Sequence, residues 1–150
     1  MSSDSYHMTA PHPQGLGSLR AMQGALEMAN LNPSDISWVH AHGTGSKHND
    51  AAESKAIEQL VGENMPWVSS TKWVHGHALG ASGAIEAILC IQALNEATIL
   101  RSGGLINPDA EIKLKHPPHH IQAGKGELEH ILKNTLGFGG VNASLVISKA

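Results

Sequence analysis

Short apolar segments that run straight into polar, glycine-containing loops constrain the fold of this chain more than any other feature. ISWVHA at residues 36–41 and WVSST at residues 67–71 are rich in β-branched and aromatic residues and bounded by turn signals, which predicts two buried strands. Residues 128–136 lead into a third such loop, and the apolar run at residues 143–148 follows it. This last pair predicts a closing hairpin.

Helical segments separate these strands. Apolar side chains recur every three or four positions over residues 17–29, which predicts an amphipathic helix. Residues 50–60 predict a second helix, whose first turn has the spacing of a capping box. Residues 84–94 are apolar on nearly every face, so we expect a central helix covered on both sides. The alternation predicts an α/β fold with a mostly parallel sheet and an antiparallel hairpin.

Composition narrows the function classes. A chain of 150 residues fits one compact domain. The net charge of −3 comes without a basic stripe, which argues against nucleic acid as a partner. No segment approaches the roughly 18 consecutive apolar residues of a membrane span, so we expect no membrane partner. A single cysteine excludes an internal disulfide framework and favours a reducing, cytoplasmic location.

Three polar loops, at residues 40–50, 69–83 and 135–145, follow the predicted strands. Each combines hydroxyl groups with glycines and with a histidine, a lysine or an amide. Ligands of α/β sheets bind at the carboxyl ends of strands, and glycines let a substrate approach the backbone closely. We therefore expect the loops to meet in one binding site.

The motifs in these loops resemble those of one enzyme family. HGTG is followed by ND and Glu53, STK is followed by Gly-His, and GFGG is followed by Asn142. Together with SDSYHMTAP near the start, they are similar to the blocks of the C-terminal half of a β-ketoacyl-acyl-carrier-protein synthase, a ketosynthase. The resemblance implies a thiolase-like half, a three-layer α/β/α fold with a five-stranded mixed sheet. Residues 1–150 would form this domain, with the cysteine-bearing N-terminal half absent.

The resemblance also implies a reaction, the decarboxylative Claisen condensation of acyl and malonyl thioesters in fatty acid or polyketide synthesis, which needs no cofactor. On this interpretation His42 and His77 donate hydrogen bonds to the thioester oxygen as negative charge develops. Lys72 would hold the site electrostatically, with Glu53 as its expected counter-charge. The alternative for Glu53 is a helix-capping role only.

The substrate side of the site follows from the same resemblance. Thr9, Thr44 and Ser46 match positions whose hydroxyl groups meet the phosphopantetheine arm of an acyl carrier protein, the expected partner. Phe138 resembles a gate residue at the acyl pocket. Asp50, in the ND pair, is expected to support the site.

The nucleophile is missing from this set. Covalent catalysis in the family needs a cysteine thiolate, and Cys90 lies inside an apolar helix where its thiol should be protonated and inert. Half of such a fold should also leave an apolar face uncovered. We therefore expect a partner, either a cysteine-bearing ketosynthase half or a second copy of this chain.

Two other functions stay open at this point. The chain could be a noncatalytic ketosynthase-like fragment or pantetheine-binding module. It could also be a histidine-rich metal-binding domain, because the pairs His40-Ala-His42 and His75-Gly-His77 would each place two imidazoles on one side of an extended segment. The preferred interpretation assigns no metal.

Overall fold

The computed structural model describes residues 1–149. The strands are β1 (Ser2–Ser3), β2 (Trp38–His40), β3 (Trp67–Ser69), β4 (Thr98–Ile99), β5 (Ile121–Gln122), β6 (His130–Gly137) and β7 (Val141–Ser148). The α-helices are α1 (Leu16–Ala29), α2 (Lys47–Val61), α3 (Lys72–His75) and α4 (Ser82–Asn95).

A five-stranded mixed sheet has the order β1-β7-β6-β2-β3. Strand β2 runs parallel to both β3 and β6, whereas β7 is antiparallel to β6 and to β1. The predicted α/β class, five-stranded mixed sheet and closing hairpin are confirmed. Strand β1, and the separate pair β4 and β5, were not predicted. These strands are two residues each, too short to leave a periodic pattern in the sequence.

Helices cover both faces of the sheet, which confirms the three-layer α/β/α arrangement. On one face, Met22 of α1 and Ile57 of α2 pack against Val39 and Leu132 of the central strands. On the other face, α4 packs against Trp38 and Ile131. Successive residues of a strand point to opposite faces, so adjacent positions such as 131 and 132 serve different layers.

The start of α2 differs from the prediction. The helix begins at Lys47, one turn before the predicted start at residue 50, and its N-cap residue Ser46 makes no side-chain capping hydrogen bond. The capping-box interpretation of Asp50 and Glu53 is therefore wrong. The Glu53 side chain is instead buried beneath the loop that follows β2, where it accepts hydrogen bonds from that loop.

Helix α4 is covered on one side only. Cys90, Ala93 and Leu94 are buried against the sheet, whereas Ile88 is 63% exposed and Ile91 49% exposed. The prediction of a helix covered on both sides is thus wrong for the described part of the chain. We call the side formed by Ile88 and Ile91 the open face of α4. Among residues 1–149, no helix is both long and apolar enough to cross a bilayer.

Candidate active site

The site is built first on the turn after β2. Gly43 has φ +47°, and a Cβ at this position would lie 2.6 Å from the Cβ of Ser70. Only glycine fits both the left-handed backbone and this close approach to the loop after β3. The turn thereby aims the side chain of His42 toward the loop after β3, as its contacts with Lys72 and His77 show.

Glu53 fixes this turn from below. Its carboxylate accepts the backbone N–H groups of His42 at 2.7 Å and Gly43 at 2.9 Å, and a side-chain N–H of Asn134 at 2.8 Å. Burial raises the pKa of Glu53, while these hydrogen bonds act in the opposite direction. The expected pairing of Glu53 with Lys72 is wrong, because Glu53 is committed to the backbone of the turn. Asn134, on β6, joins the site without having been predicted.

The counter-charge of Lys72 is Glu86 on α4. Glu86 is fully buried and its Oε1 receives a hydrogen bond from Lys72. A second lysine, Lys133 on β6, lies with its Nζ 2.8 Å from Glu86 Oε2. Sequence reasoning missed both Glu86 and Lys133. The available signal was a single charged residue in an otherwise apolar helix and another in an apolar strand, because such residues are rarely buried without a partner.

His42 is held as a neutral N–H donor. The Nζ of Lys72, which can only donate, lies 3.3 Å from His42 Nδ1. Nδ1 therefore accepts, and the ring proton resides on Nε2. Burial, reinforced by the charge of Lys72, lowers the pKa of His42 from 6.5 to about 3, so the imidazole carries no charge near neutral pH.

His77 reaches the same place from the loop after α3. Its Nδ1 accepts the backbone N–H of Leu79 at 3.1 Å and lies 3.3 Å from the hydroxyl of Ser82. Since a backbone amide can only donate, His77 also carries its proton on Nε2 when neutral. The two imidazole rings lie edge to face with centroids 5.3 Å apart. The structure thus brings His42, Lys72 and His77 together at one edge of the sheet.

The residues expected to bind substrate are less closely gathered. The hydroxyls of Thr44 and Ser46 are 2.8 Å apart at the turn after β2. Thr9 follows Met8, whose carbonyl accepts the N–H of Gly139, so Thr9 lies near the Phe138 turn. Phe138 is 77% exposed. Asp50 accepts a hydrogen bond from the side chain of its neighbour, Asn49.

An open cleft of about 830 Å³ lies beside these groups. Thr44, Glu53, Lys72, Trp73 and His77 line it, whereas Thr9, Ser46 and Phe138 do not. The cleft therefore joins the turn after β2 to the loops that follow β3.

Other reactive side chains stand apart from this chemistry. Cys90 is fully buried, and burial raises its pKa to about 12, so its inertness as a thiol stays a prediction with structural support. His40 and His75 do not form extended pairs with the site histidines, since both bond to the hydroxyl of Thr71. Within residues 1–149, no three His, Cys, Asp or Glu side chains are grouped to hold a metal ion.

The arrangement is suited to stabilising an oxyanion. On both imidazoles Nδ1 accepts a hydrogen bond, which leaves Nε2–H free to donate, and His42 is backed by a buried ammonium group. Preorganised donors of this kind, aimed at a site of developing negative charge, each lower a barrier by about 3–4 kcal/mol.

Known proteins are similar to this chain over nearly its whole length. The family model described as beta-ketoacyl synthase, C-terminal domain, matches residues 1–105. The 3-oxoacyl-[acyl-carrier-protein] synthase 2 of Staphylococcus aureus (strain COL) is 40% identical over 150 residues, which cover 99% of this chain and 36% of that protein.

Solved structures give the same result. The ketosynthase (ApeO) in complex with its chain length factor (ApeC) from Xenorhabdus doucetiae matches with a TM-score of 0.85 and 39% identity, covering 99% of this chain and 37% of that one. A type II PKS acyl-carrier protein in complex with its ketosynthase bound to the hexaketide (AntDE:AntF) matches with a TM-score of 0.92 and 28% identity, covering 99% and 36%. The chain spans little more than a third of the length of these relatives.

Proposed function

This chain belongs to the β-ketoacyl synthase family, in which it corresponds to the C-terminal domain, and we propose that it supplies the histidine-bearing half of the active site of a 3-oxoacyl-[acyl-carrier-protein] synthase. The convergence of His42 and His77, with ring centroids 5.3 Å apart and hydrogen bonds that favour an Nε2 proton on each, carries the proposal. The two donors would meet one thioester oxygen.

The proposed reaction is a decarboxylative Claisen condensation. The bond between the carboxylate and C2 of a malonyl thioester breaks, carbon dioxide leaves, and the electron pair forms an enolate whose oxygen accepts from both Nε2–H groups. The enolate carbon then attacks the carbonyl of an acyl group held as a cysteine thioester. Collapse of the tetrahedral intermediate expels the cysteine thiolate and leaves a 3-oxoacyl thioester on the carrier.

Lys72 acts in this scheme through His42. Its ammonium lies against His42 Nδ1 and bonds to Glu86, so it holds the ring orientation and the neutral tautomer. The depressed pKa of His42, about 3, means that the ring donates a hydrogen bond without transferring a proton. Lys72 is thus a positioning group in the proposal.

We further propose that the thioesters arrive on the phosphopantetheine arm of an acyl carrier protein. The hydroxyls of Thr9, Thr44 and Ser46 are exposed or partly exposed, so they are available to the amides of the arm. The exposed Phe138 sits between glycines, and Gly139 has φ +79°, which gives the turn freedom to move a gate. One related ketosynthase has been solved with its acyl-carrier protein, which supports this partner.

The nucleophile would come from a cysteine-bearing half. Cys90 is buried and protonated, and the chain spans 36% of its S. aureus relative. We propose that residues 1–150 form one ketosynthase C-terminal domain and that the other half, or a second copy of this chain in its place, covers the open face of α4. The single cysteine fits a reducing compartment, and we infer a cytoplasmic location.

The test is reconstitution. The chain coexpressed with a cysteine-bearing ketosynthase half should release labelled carbon dioxide from malonyl-acyl carrier protein and form a 3-oxoacyl product. His42→Ala and His77→Ala should each lower kcat by about 10²–10³-fold, the effect of removing one oxyanion donor. The exposed His48→Ala is the matched control and should leave kcat unchanged.

The outcomes separate the alternatives. Full activity in His42→Ala or His77→Ala would contradict the proposed roles, and loss of activity in Cys90→Ala would contradict a nucleophile from the other half. Condensation by the chain alone would contradict the need for a partner. Binding of a pantetheine thioester with no turnover in any reconstituted complex would favour a noncatalytic pantetheine-binding module.

A further inference from the structure

Lys133 is a charged residue in the middle of the sheet. It lies on β6 beside His40 of β2 in parallel register and is 1% exposed. Alternation along β6 puts its side chain on the same face as Ile131, toward α4, whereas Leu132 faces the opposite layer. A lysine at such a depth is destabilising unless a counter-charge meets it.

The counter-charge of Lys133 is Glu86, which also pairs with Lys72. Lys133 Nζ lies 2.8 Å from Glu86 Oε2 and also bonds to the hydroxyl of Thr135. Oε2 receives no aligned hydrogen bond, so its attraction to Lys133 is that of an ion pair. The other oxygen of Glu86, Oε1, accepts a hydrogen bond from Lys72. One buried carboxylate thus stands between two ammonium groups, so these three side chains together carry one net positive charge.

The other titratable groups around these three charges include three histidines and Glu53. His42 is neutral, and burial lowers the pKa of His40 to about 4, so His40 is neutral as well. His77, from the loop after α3, faces His42. Glu53 is a second buried carboxylate, but it comes from α2 on the opposite layer of the sheet, where it bonds to the turn after β2, and burial raises its pKa, which weakens its negative charge.

We propose that Lys133 is a second positioning residue of the active site, which shares Glu86 with Lys72 and leaves the buried cluster with a positive charge that favours the anion formed at His42 and His77. Without Lys133, Glu86 would neutralise Lys72, and the ammonium next to His42 would act as half of a neutral pair. With Lys133 present, the positive charge of Lys72 is less fully neutralised by Glu86 and acts more strongly at His42. A preorganised charge in a buried site acts on the transition state without reorganisation.

Burial would raise the pKa of Glu86, but Lys133 and then Lys72 lower it below its usual value, so the carboxylate is ionised as the charge count requires. The inference rests on the proposed function for its catalytic meaning. The charge states of Lys72 and Lys133, however, are properties of this chain alone and can be measured without any catalytic assay.

The first experiment measures the protonation states of Lys72 and Lys133 directly. Lysine side-chain ¹⁵N spectra of the wild-type chain at pH 7 should show two slowly exchanging ammonium signals, one lost in Lys72→Met and the other in Lys133→Met. A neutral amine at Lys133 in the wild-type chain would overturn the proposal whether or not the chain supports condensation, and whether or not Lys133→Met folds.

The second experiment reads the function in the reconstituted enzyme. Lys133→Met should lower kcat about tenfold with little change in KM, because a charge lost near the anion affects the transition state more than substrate binding. The low-pH limb of the kcat profile should move to higher pH, and Lys133→Arg should restore most of the activity. The exposed Lys125→Met is the matched control. A Lys133→Met enzyme with the kcat and pH profile of Lys125→Met would overturn the proposal.

Discussion

Glu86→Gln tests how much of the stability of this fold depends on one buried carboxylate. Glu86 is fully buried and is the anionic partner of two lysines that are themselves at most 7% exposed. The amide keeps the shape of the side chain but removes its charge. Breaking a buried ion pair by neutralising one partner costs about 3–5 kcal/mol, and here a single substitution leaves two ammonium groups without a counter-charge.

This magnitude is large compared with the stability of a domain, about 5–15 kcal/mol. With a urea dependence of about 2 kcal/mol per molar, the unfolding midpoint should fall by roughly 2 M. Equilibrium urea unfolding followed by tryptophan fluorescence measures the shift. Glu96→Gln, at the exposed C-terminal end of α4, is the matched control and should move the midpoint by less than about 0.3 M.

The stability lost in Glu86→Gln should depend on pH with a definite sign. Burial lowers the pKa of a lysine that has lost its counter-charge, so the unfolded variant binds more protons than the folded one and its stability rises with pH. The difference between Glu86→Gln and wild type should therefore shrink between pH 7 and pH 9. Replacing Lys72, Glu86 and Lys133 together by apolar residues should cost less than Glu86→Gln alone. A free energy loss equal to that of Glu96→Gln would refute the reasoning.

Three further predictions concern acid, thiol reactivity and packing. Burial lowers the pKa values of His40 and His42 from 6.5 to about 4 and about 3. As pH falls below 6.5, only the unfolded chain takes up protons on these two residues. The free energy of unfolding should therefore drop, by up to about 2.7 kcal/mol per pH unit. Cys90, with its pKa raised to about 12 by burial, should resist a thiol reagent at pH 8 until urea unfolds the chain. Gly103→Ala would put a Cβ 2.3 Å from the Trp73 ring, and should lower stability by about 1–3 kcal/mol and change the tryptophan fluorescence.

Each of these has a result that would contradict it. A flat urea midpoint from pH 7.5 to 5 would show that the two histidines charge freely in the folded chain. Modification of Cys90 at the rate of an exposed thiol would mean that α4 is not packed as described. Gly24→Ala, in a helix with open space around it, should be neutral or stabilising, and an equal loss there would remove the packing explanation for Gly103.

The amino-acid sequence determined the parts of this protein that depend on local pattern. The alternation of helices and short apolar strands predicted the α/β class, and the glycine-rich turn at residues 137–140 predicted the hairpin of β6 and β7. The resemblance of the loop motifs to ketosynthase blocks singled out His42, Lys72 and His77, each of which follows a strand of one parallel pair. Parallel strands end at the same edge of a sheet, so such residues are brought together by topology without any knowledge of their contacts.

Tertiary structure alone decided which charged groups became partners. The resemblance pointed to Glu53 as the counter-charge of Lys72, yet the Glu53 carboxylate meets backbone N–H groups. Lys72 pairs instead with Glu86, from a helix packed against the other side of the sheet. Lys133 joins them from a strand 61 positions farther along the chain than Lys72. The physical reason is that a buried charge is stabilised by whatever lies within a few ångströms of it, and those distances are set by layer packing, on which sequence spacing carries no information.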